Sequence, residues 1–147
     1  RKNKIMKKIV LTLFAVVISA AIFAQTKKAD ELAKFSEAKY NFGKIKQGVP
    51  VTHVFEFTNL SEQPLVIESA TASCGCTTPT WPQQPTAKGK SNKVTAGFNA
   101  AAPGPFEKTV FVKIAGADQP LELKISGEVL TAEQYAKVEG EKSKNNK

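Results

Sequence analysis

The sequence predicts an all-β domain, an antiparallel β-sandwich, and three observations support this. Apolar and polar residues alternate with a period of two over several short runs, as in strands with one buried face. Clusters of Gly, Pro, Asn and Ser separate the runs. No helical pattern lies between them, which disfavours folds that alternate strands with helices. A closed barrel is the main alternative, since it uses the same alternation.

The length and charge limit the classes of protein to which this chain can belong. The 147 residues suggest one domain with a single core. The net charge of +8 includes five basic residues and no acidic ones within residues 1–24. The rest of the chain has 16 basic and 13 acidic residues, and no arginine follows Arg1. We therefore expect no nucleic-acid partner, because the excess charge does not belong to a folded surface.

The N-terminal residues 1–24 have the pattern of a secretory signal peptide. Lys7 and Lys8 precede an apolar run over residues 9–24 that ends in small residues. The run is shorter than the roughly 20 residues that a membrane span needs, although an uncleaved anchor is the alternative. We predict a signal helix cleaved after Ala24, with residues 1–5 upstream of the start at Met6. The contact with a membrane is then transient, and the mature protein lies in an oxidising compartment.

After a flexible arm over residues 25–35, strands are predicted over residues 39–45, 51–59, 65–73, 93–99, 106–114 and 121–129. The alternation is clearest in the second strand, which places His53, Phe55 and Phe57 on one face. The prolines of residues 77–90 indicate a loop, and those of residues 102–105 indicate a turn. The domain therefore covers residues 36–130. Within residues 131–147, Thr131 and Gln134 resemble a capping box, so a short helix to about Val138 precedes a polar tail.

Several motifs resemble a bacterial family, domain of unknown function 1573. They are Tyr40-x-Phe42-Gly43-x-Ile45-x-x-Gly48, Phe55-x-Phe57-x-Asn59, Pro64-Leu65-x-Ile67, Ser73-Cys74-Gly75-Cys76-Thr77-x-Pro79-x-Trp81-Pro82, Gly104-x-Phe106-x-Lys108-Thr109-Val110 and Leu123-x-Ile125-x-Gly127-x-Val129. The resemblance covers roughly residues 36–130. It implies an exported, immunoglobulin-like domain, similar to the hydin and major-sperm-protein group. It implies no established activity, cofactor or catalytic residue.

The only two cysteines, Cys74 and Cys76, admit three interpretations. They form a disulfide if a turn at Gly75 brings their Cα atoms within the bridging range. They bind a soft metal such as Cu(I) or Zn(II) if a further ligand is present, for which His53 is the one histidine. Otherwise they only fix or pack the loop. A disulfide in so small a ring also raises the possibility of a redox role.

No catalytic set is recognised in the sequence. His53 lies on an apolar strand face, where a lone histidine is usually a core or rim residue. The acidic residues are scattered singly, and no Gly-rich phosphate loop is present. We predict that the protein is not an enzyme and needs no cofactor.

Trp81 lies between two prolines, and it has two interpretations. It caps one end of the core, or it is an exposed aromatic anchor for a partner, with Thr77, Pro79 and Pro82 beside it. Exposed edge strands are a further route to a partner.

The leading hypothesis is an exported binding or structural module of the cell envelope. We expect it in the periplasm or at the surface of a Gram-negative bacterium, with an envelope or secreted protein as its partner. The alternative is a small periplasmic metal or redox protein that uses the Cys-Gly-Cys loop.

Overall fold

The structure is a computed structural model that describes residues 27–145, with side chains described through residue 141. The signal peptide predicted over residues 1–24 lies outside the described residues. Eight strands and two helices follow one another along the described chain. They are α1 (Ala29–Leu32), β1 (Ala33–Phe35), β2 (Lys39–Lys46), β3 (Val51–Asn59), β4 (Ile67–Ala72), β5 (Thr77–Thr80), β6 (Ser91–Phe98), β7 (Gly104–Ile114), β8 (Leu121–Leu130) and α2 (Ala132–Asn145).

The strands form two four-stranded sheets, so the predicted β-sandwich is confirmed. One sheet has the order β1-β3-β6-β5, and the other has the order β2-β8-β7-β4. Immunoglobulin constant domains pair strands A, B, E and D in one sheet and C, F and G in the other. The strands β1, β3, β6 and β5 correspond to the first set, and β4, β7 and β8 correspond to the second. The fold is therefore immunoglobulin-like.

One strand pairing differs from the predicted antiparallel arrangement. Strand β2 runs parallel to β8, whereas the other pairings between the described strands are antiparallel. The first strand of the fold is divided between the two sheets, with β1 beside β3 and β2 beside β8. Alternation along a sequence does not specify strand direction, so this parallel pairing could not be predicted from the sequence.

The six predicted strands are present, and two further strands occur where none was expected. The described part of the segment predicted as a flexible arm, residues 27–35, is instead packed, because Ala29, Leu32 and Ala33 are buried and Phe35 pairs with Phe57. The start of the predicted loop after Cys76 is strand β5, which pairs with β6. Strands of three and four residues are too short for alternation to reveal them. Their pairing to a longer neighbour determines their structure.

Two smaller differences concern the ends of predicted elements. Strand β7 begins at Gly104 and includes Pro105, so the predicted Pro-Gly-Pro turn is shorter than expected. Helix α2 extends to Asn145, beyond the predicted end near Val138. Its capping box is confirmed, since the Thr131 N–H donates to Gln134 Oε1 (3.0 Å) and the Gln134 N–H donates to Thr131 Oγ1 (3.4 Å). No helix within the described residues is long and apolar enough to cross a bilayer.

The core lies between the sheets and is built from the inward residues of both. The largest fully buried apolar side chains are Phe55, Phe57, Val94, Val110, Val112, Ile114, Leu123, Ile125 and Val129. They recur at alternate positions, which is why the period of two in the sequence predicts this core.

Candidate functional site

The Cys-Gly-Cys segment forms a tight turn between β4 and β5. The Ser73 N–H donates to the Thr109 carbonyl oxygen (2.9 Å), and the Thr109 N–H donates to Ser73 Oγ (3.2 Å), so the turn is tied to β7 where β4 ends. The Thr77 N–H then donates to the Cys74 carbonyl oxygen (3.3 Å), which closes the turn. These bonds fix the direction in which both cysteines project.

Cys74 and Cys76 are joined by a disulfide bond, the first of the three interpretations. Their Cα atoms lie 5.3 Å apart. Two residues of extended strand would place them about 6.6 Å apart, near the limit for bridging. The hydrogen-bonded turn provides the shorter distance. The sequence predicted that a positive φ at Gly75 would allow this turn. Gly75 does not have a positive φ, so the turn forms without one.

Gly75 is exposed, and the structure gives no internal reason for a glycine there. Its backbone conformation is one that other residues adopt. A Cβ atom built on it would have no heavy atom within 4 Å. Cys74 and Cys76 on either side of it are half-buried, so the disulfide is partly accessible to solvent.

Thr77 is buried beneath the disulfide. Its side chain oxygen lies 3.7 Å from Cys74 Sγ and 4.0 Å from Cys76 Sγ. Sulfur atoms in a disulfide carry no proton, so the Thr77 hydroxyl is the donor in both contacts. Thr77 is only 4% exposed, so it lies under the ring and not on a surface where a partner could contact it directly.

A groove of about 200 Å³ lies beside the disulfide, at the end of the sandwich where β6 is followed by β7. Cys76 forms part of its wall, and Phe98 and Phe106 stack at its floor with ring centroids 4.2 Å apart. Lys108 also lines the groove and is half-buried. The groove is mainly apolar with one cationic side chain, which suits an apolar ligand that bears a negative charge.

The loop over residues 99–103 forms the other wall and is held in place by hydrogen bonds. Ala100 is fully buried and has a φ of 50°, a conformation that costs a non-glycine residue roughly 1 kcal/mol. The Gly48 N–H donates to the Ala100 carbonyl oxygen (2.9 Å), and Gln47 Nε2 donates to the Ala101 carbonyl oxygen (3.0 Å). Contacts with the β2–β3 turn thus maintain the groove in a pre-formed shape.

The edge strands of both sheets are poorly suited to adding a partner strand. Strands β1 and β5 are short, and Pro79 in β5 has no N–H to offer. Strand β2 has a register shift between Asn41 and Lys44, and β4 has one between Ile67 and Ser69. Short strands, prolines and bulges are the devices by which sheets avoid edge pairing. The edges of both sheets are therefore less suited to strand addition than the sequence suggested.

Trp81 packs against the core instead of standing exposed. Thr77 pairs with Phe98 and Pro79 with Ala96, so alternate residues of β5 face inward, and Trp81 continues this series. Trp81 and Pro82 are half-buried. The structure thus gives Trp81 the core-capping position, the first of its two interpretations.

His53 lies at the rim of the core, away from the disulfide. Its Nε2 atom is 2.9 Å from Glu37 Oε1, and its ring stacks on Tyr40 with centroids 3.6 Å apart. Strand β6 separates β3 from β5, so two strand spacings of about 4.8 Å lie between His53 and the cysteine-bearing side. The structure does not bring the three metal candidates together. Among the described residues, no three His, Cys, Asp or Glu side chains are grouped to hold a metal ion.

The groove residues Phe98, Phe106 and Lys108 were not predicted from the sequence to form a site. A signal for Lys108 was present, because Phe106, Lys108 and Val110 alternate along β7 and so share its inward face. A lysine in that series predicts a charged group at the end of the core. The groove itself depends on loops that are far apart in sequence, so no local pattern indicates it.

Removing the disulfide is expected to lower the free energy of unfolding only slightly. A ring closed by three residues restricts the unfolded chain by roughly 1.5–2 kcal/mol in the loop-entropy relation. The double variant Cys74→Ser, Cys76→Ser should therefore remain folded. Urea denaturation of both proteins measures the difference. A loss above about 4 kcal/mol would show that the bond holds the sandwich together, contrary to this expectation.

The comparisons with known proteins agree with this architecture. A family model described as Protein of unknown function (DUF1573) matches residues 33–129. No curated protein matches the chain. These findings agree with the resemblance carried by the motifs of the sequence.

Three solved structures illustrate the similarity in fold. A protein of unknown function from Porphyromonas gingivalis W83 is 12% identical, with a TM-score of 0.58, over 67% of this chain and 46% of that one. The VesB protease of Vibrio cholerae is 18% identical, with a TM-score of 0.54, over 69% of this chain and 33% of that one. The ASH / PapD-like domain 7 of human CEP192 is 13% identical, with a TM-score of 0.53, over 74% of this chain and 92% of that one. This chain spans less than half of the first two, and all three share only its fold.

Proposed function

The chain belongs to the DUF1573 family of proteins of unknown function, and from that premise we propose that it is an exported, immunoglobulin-like module of the bacterial cell envelope. Its role is to bind another envelope or secreted protein, without catalysing a reaction and without a cofactor. The observation that carries the proposal is the pre-formed apolar groove at the disulfide end of the sandwich. Grooves of this kind, held by rigid loops, bind ligands at low conformational cost.

Two features support export to the periplasm or cell surface. Residues 1–24 have the charge and hydrophobicity of a cleaved signal peptide. The Cys74–Cys76 disulfide belongs to the kind of bond that persists in oxidising compartments. Contact with the membrane is limited to passage of the signal peptide through it.

The charge of the folded domain supports a protein partner over a nucleic acid. Its strand-rich region, residues 35–130, has nine lysines and eight acidic residues, and no arginine. Such a surface does not neutralise a phosphate backbone. The groove has apolar walls and one cation, Lys108, which suits a polypeptide segment better.

A metal-binding role has less support from the structure. Both thiols are used in the disulfide, so neither is free to bind a metal as thiolate. His53 interacts with Glu37 and Tyr40 instead of the cysteines.

Introducing a charge at the groove is expected to weaken partner binding. Ala102 lines the groove and is exposed, so Ala102→Glu places a carboxylate there without disturbing the core. The matched control is Ala87→Glu, an exposed alanine in the β5–β6 loop at the opposite end of β6. Immobilised wild type and variants are each incubated with the solubilised envelope of the producing bacterium, and retained proteins are quantified by mass spectrometry.

We expect recovery of the partner to fall about tenfold with Ala102→Glu, since bringing a carboxylate into an apolar contact costs about 1.4 kcal/mol or more. Recovery with Ala87→Glu should equal that of the wild type. Equal recovery with both variants, or no protein that the wild type retains above a blank resin, would contradict the proposal.

A further inference from the structure

The disulfide and the groove form one continuous surface. Cys76 belongs to the groove wall, and both cysteines of the ring are partly exposed. A ligand in the groove is therefore in reach of a sulfur atom. We propose that the Cys74–Cys76 disulfide exchanges with cysteine thiols of an extended, apolar polypeptide segment held in this groove. This goes beyond the proposed function, because it adds a covalent redox step to binding.

The glycine between the cysteines supports access to the disulfide. Gly75 is required neither by its φ nor by close packing, since a Cβ would meet nothing within 4 Å. Glycine at such a place allows another backbone to approach closely. A larger side chain between the two cysteines adds bulk next to the ring, where a thiol has to approach.

The small size of the ring also favours a role in thiol exchange over a role in stabilising the fold. A disulfide that spans three residues constrains the unfolded chain little, so its loss leaves the sandwich intact. The turn is held independently by the Thr77 N–H on the Cys74 carbonyl and by the Asn99 N–H on the Cys76 carbonyl (3.1 Å). The reduced protein therefore keeps its groove, and the bond can open and close during exchange.

The two sulfur atoms have different surroundings and hence different roles. Cys76 lines the groove, so its sulfur is the one that a bound thiolate attacks. Cys74 then leaves as a thiolate, and the buried Thr77 hydroxyl, 3.7 Å from its sulfur, donates to it. Lys108 places a positive charge in the same groove, which favours the thiolate of the incoming cysteine.

The exchange needs only the disulfide and two thiols of the partner, and its atoms and electrons balance. A partner thiolate attacks Cys76 Sγ; a bond forms between these sulfurs, the bond to Cys74 Sγ breaks, and its electron pair stays on Cys74. A second partner thiolate attacks the partner's sulfur in the mixed disulfide and releases Cys76. The partner loses two electrons and two protons and gains a disulfide, while Cys74 and Cys76 gain them and become thiols.

The walls of the groove indicate the chemistry of the segment that enters it. Apart from Lys108 and Asn99, the lining side chains are Ala, Pro, Phe and the disulfide. The preferred substrate is thus a cysteine flanked by apolar residues, as in a segment that is not yet folded. A small hydrophilic thiol such as glutathione gains nothing from the walls.

The rate of reduction tests the proposal. The oxidised protein is mixed with a synthetic peptide that has two cysteines flanked by valine and leucine, and separately with glutathione. Thiols are alkylated at intervals and counted by mass spectrometry. A free cyclic peptide, Ser-Cys-Gly-Cys-Thr, measures the intrinsic reactivity of the ring. With the apolar peptide, the protein should react about tenfold faster than the free ring, and with glutathione it should show no such advantage. A ratio of threefold or less with the apolar peptide would overturn the proposal.

Variants then test the assigned residues. Gly75→Val should lower the rate with the apolar peptide about fivefold or more at unchanged thermal stability, because a branched side chain between the cysteines crowds the approach to the ring. Lys108→Met should slow it, whereas Lys113→Met, on the same strand beside Glu68, should not. Unchanged rates in both Gly75→Val and Lys108→Met would show that the groove does not direct the exchange. Partner recovery in the Ala102→Glu experiment is independent of this chemistry, so binding without fast exchange overturns this inference alone.

Discussion

Replacing Asn59 with alanine is expected to lower the free energy of unfolding by about 3–5 kcal/mol, because several buried polar groups lose their partner at once. Asn59 is 1% exposed. Its Nδ2 atom donates to the carbonyl oxygens of Gln63 (2.9 Å) and Thr86 (2.8 Å). Its Oδ1 atom accepts from the N–H (2.8 Å) and the hydroxyl (2.7 Å) of Ser61. All four bonds disappear in the variant.

These bonds join two loops at the end of the sandwich opposite the groove. The backbone of Asn59 also bonds to the second loop, since its N–H donates to the Lys90 carbonyl and its carbonyl accepts from the Gly89 N–H. Leu65 and Thr86 exchange backbone hydrogen bonds of 2.8 Å in each direction. Asn59 therefore fixes how the chain leaves β3 and how it enters β6. Its loss should loosen both loops and leave the distant groove unchanged.

Urea denaturation measures the effect, and two variants control for it. Asn59→Asp keeps the shape and the acceptor but loses the amide donors and buries a carboxylate, so it should be at least as destabilising near neutral pH. Asn41→Ala removes one bond from an exposed residue, to the Gly43 N–H, and should cost under about 1 kcal/mol. Equal small losses for Asn59→Ala and Asn41→Ala would contradict the assigned role.

The sequence predicted those parts of the fold that alternation determines. The residues Phe55, Val94, Val110 and Ile125 occupy inward positions of long strands, and each is fully buried. Burial of one face of a strand imposes a period of two, so these strands follow from the sequence. The short strand β1 did not, because pairing with β3 and burial of Ala33 determine its structure.

The candidate site was predicted only in part, for a physical reason. The spacing of Cys74 and Cys76 indicates a bond that a turn can close, and the structure has that turn. The groove, in contrast, arises where β6, the following loop and β7 meet the cysteine turn. Contacts between residues that are far apart in sequence form the groove. One of these contacts is the pairing of Phe106 with Gly127. Because these contacts join distant residues, the sequence alone does not indicate the groove.

Gly127→Ala is the second substitution with a large expected effect, about 2–3 kcal/mol of lost stability, because the added methyl group has no room. A Cβ atom at this position would lie 2.8 Å from the Gly43 carbonyl oxygen, 2.9 Å from Phe106 Cε1 and 3.0 Å from Phe106 Cζ. The carbonyl belongs to the backbone of β2 at its register shift, and the ring belongs to the floor of the groove. Either the edge strand or the ring must move.

Movement of the ring links this substitution to the site. Phe106 stacks on Phe98, so its displacement alters the groove and should lower partner recovery while the protein is still folded. In a double-mutant cycle, Phe106→Leu should relieve about 1 kcal/mol of the loss, because leucine lacks the ring atoms that meet the new methyl group. Gly140→Ala in α2, where a Cβ meets nothing within 4 Å, is the control and should leave stability unchanged or raised. Additive effects of the Gly127 and Phe106 substitutions would show that this glycine is required by its positive φ and the β2 carbonyl and not by the ring, and that the groove does not depend on it.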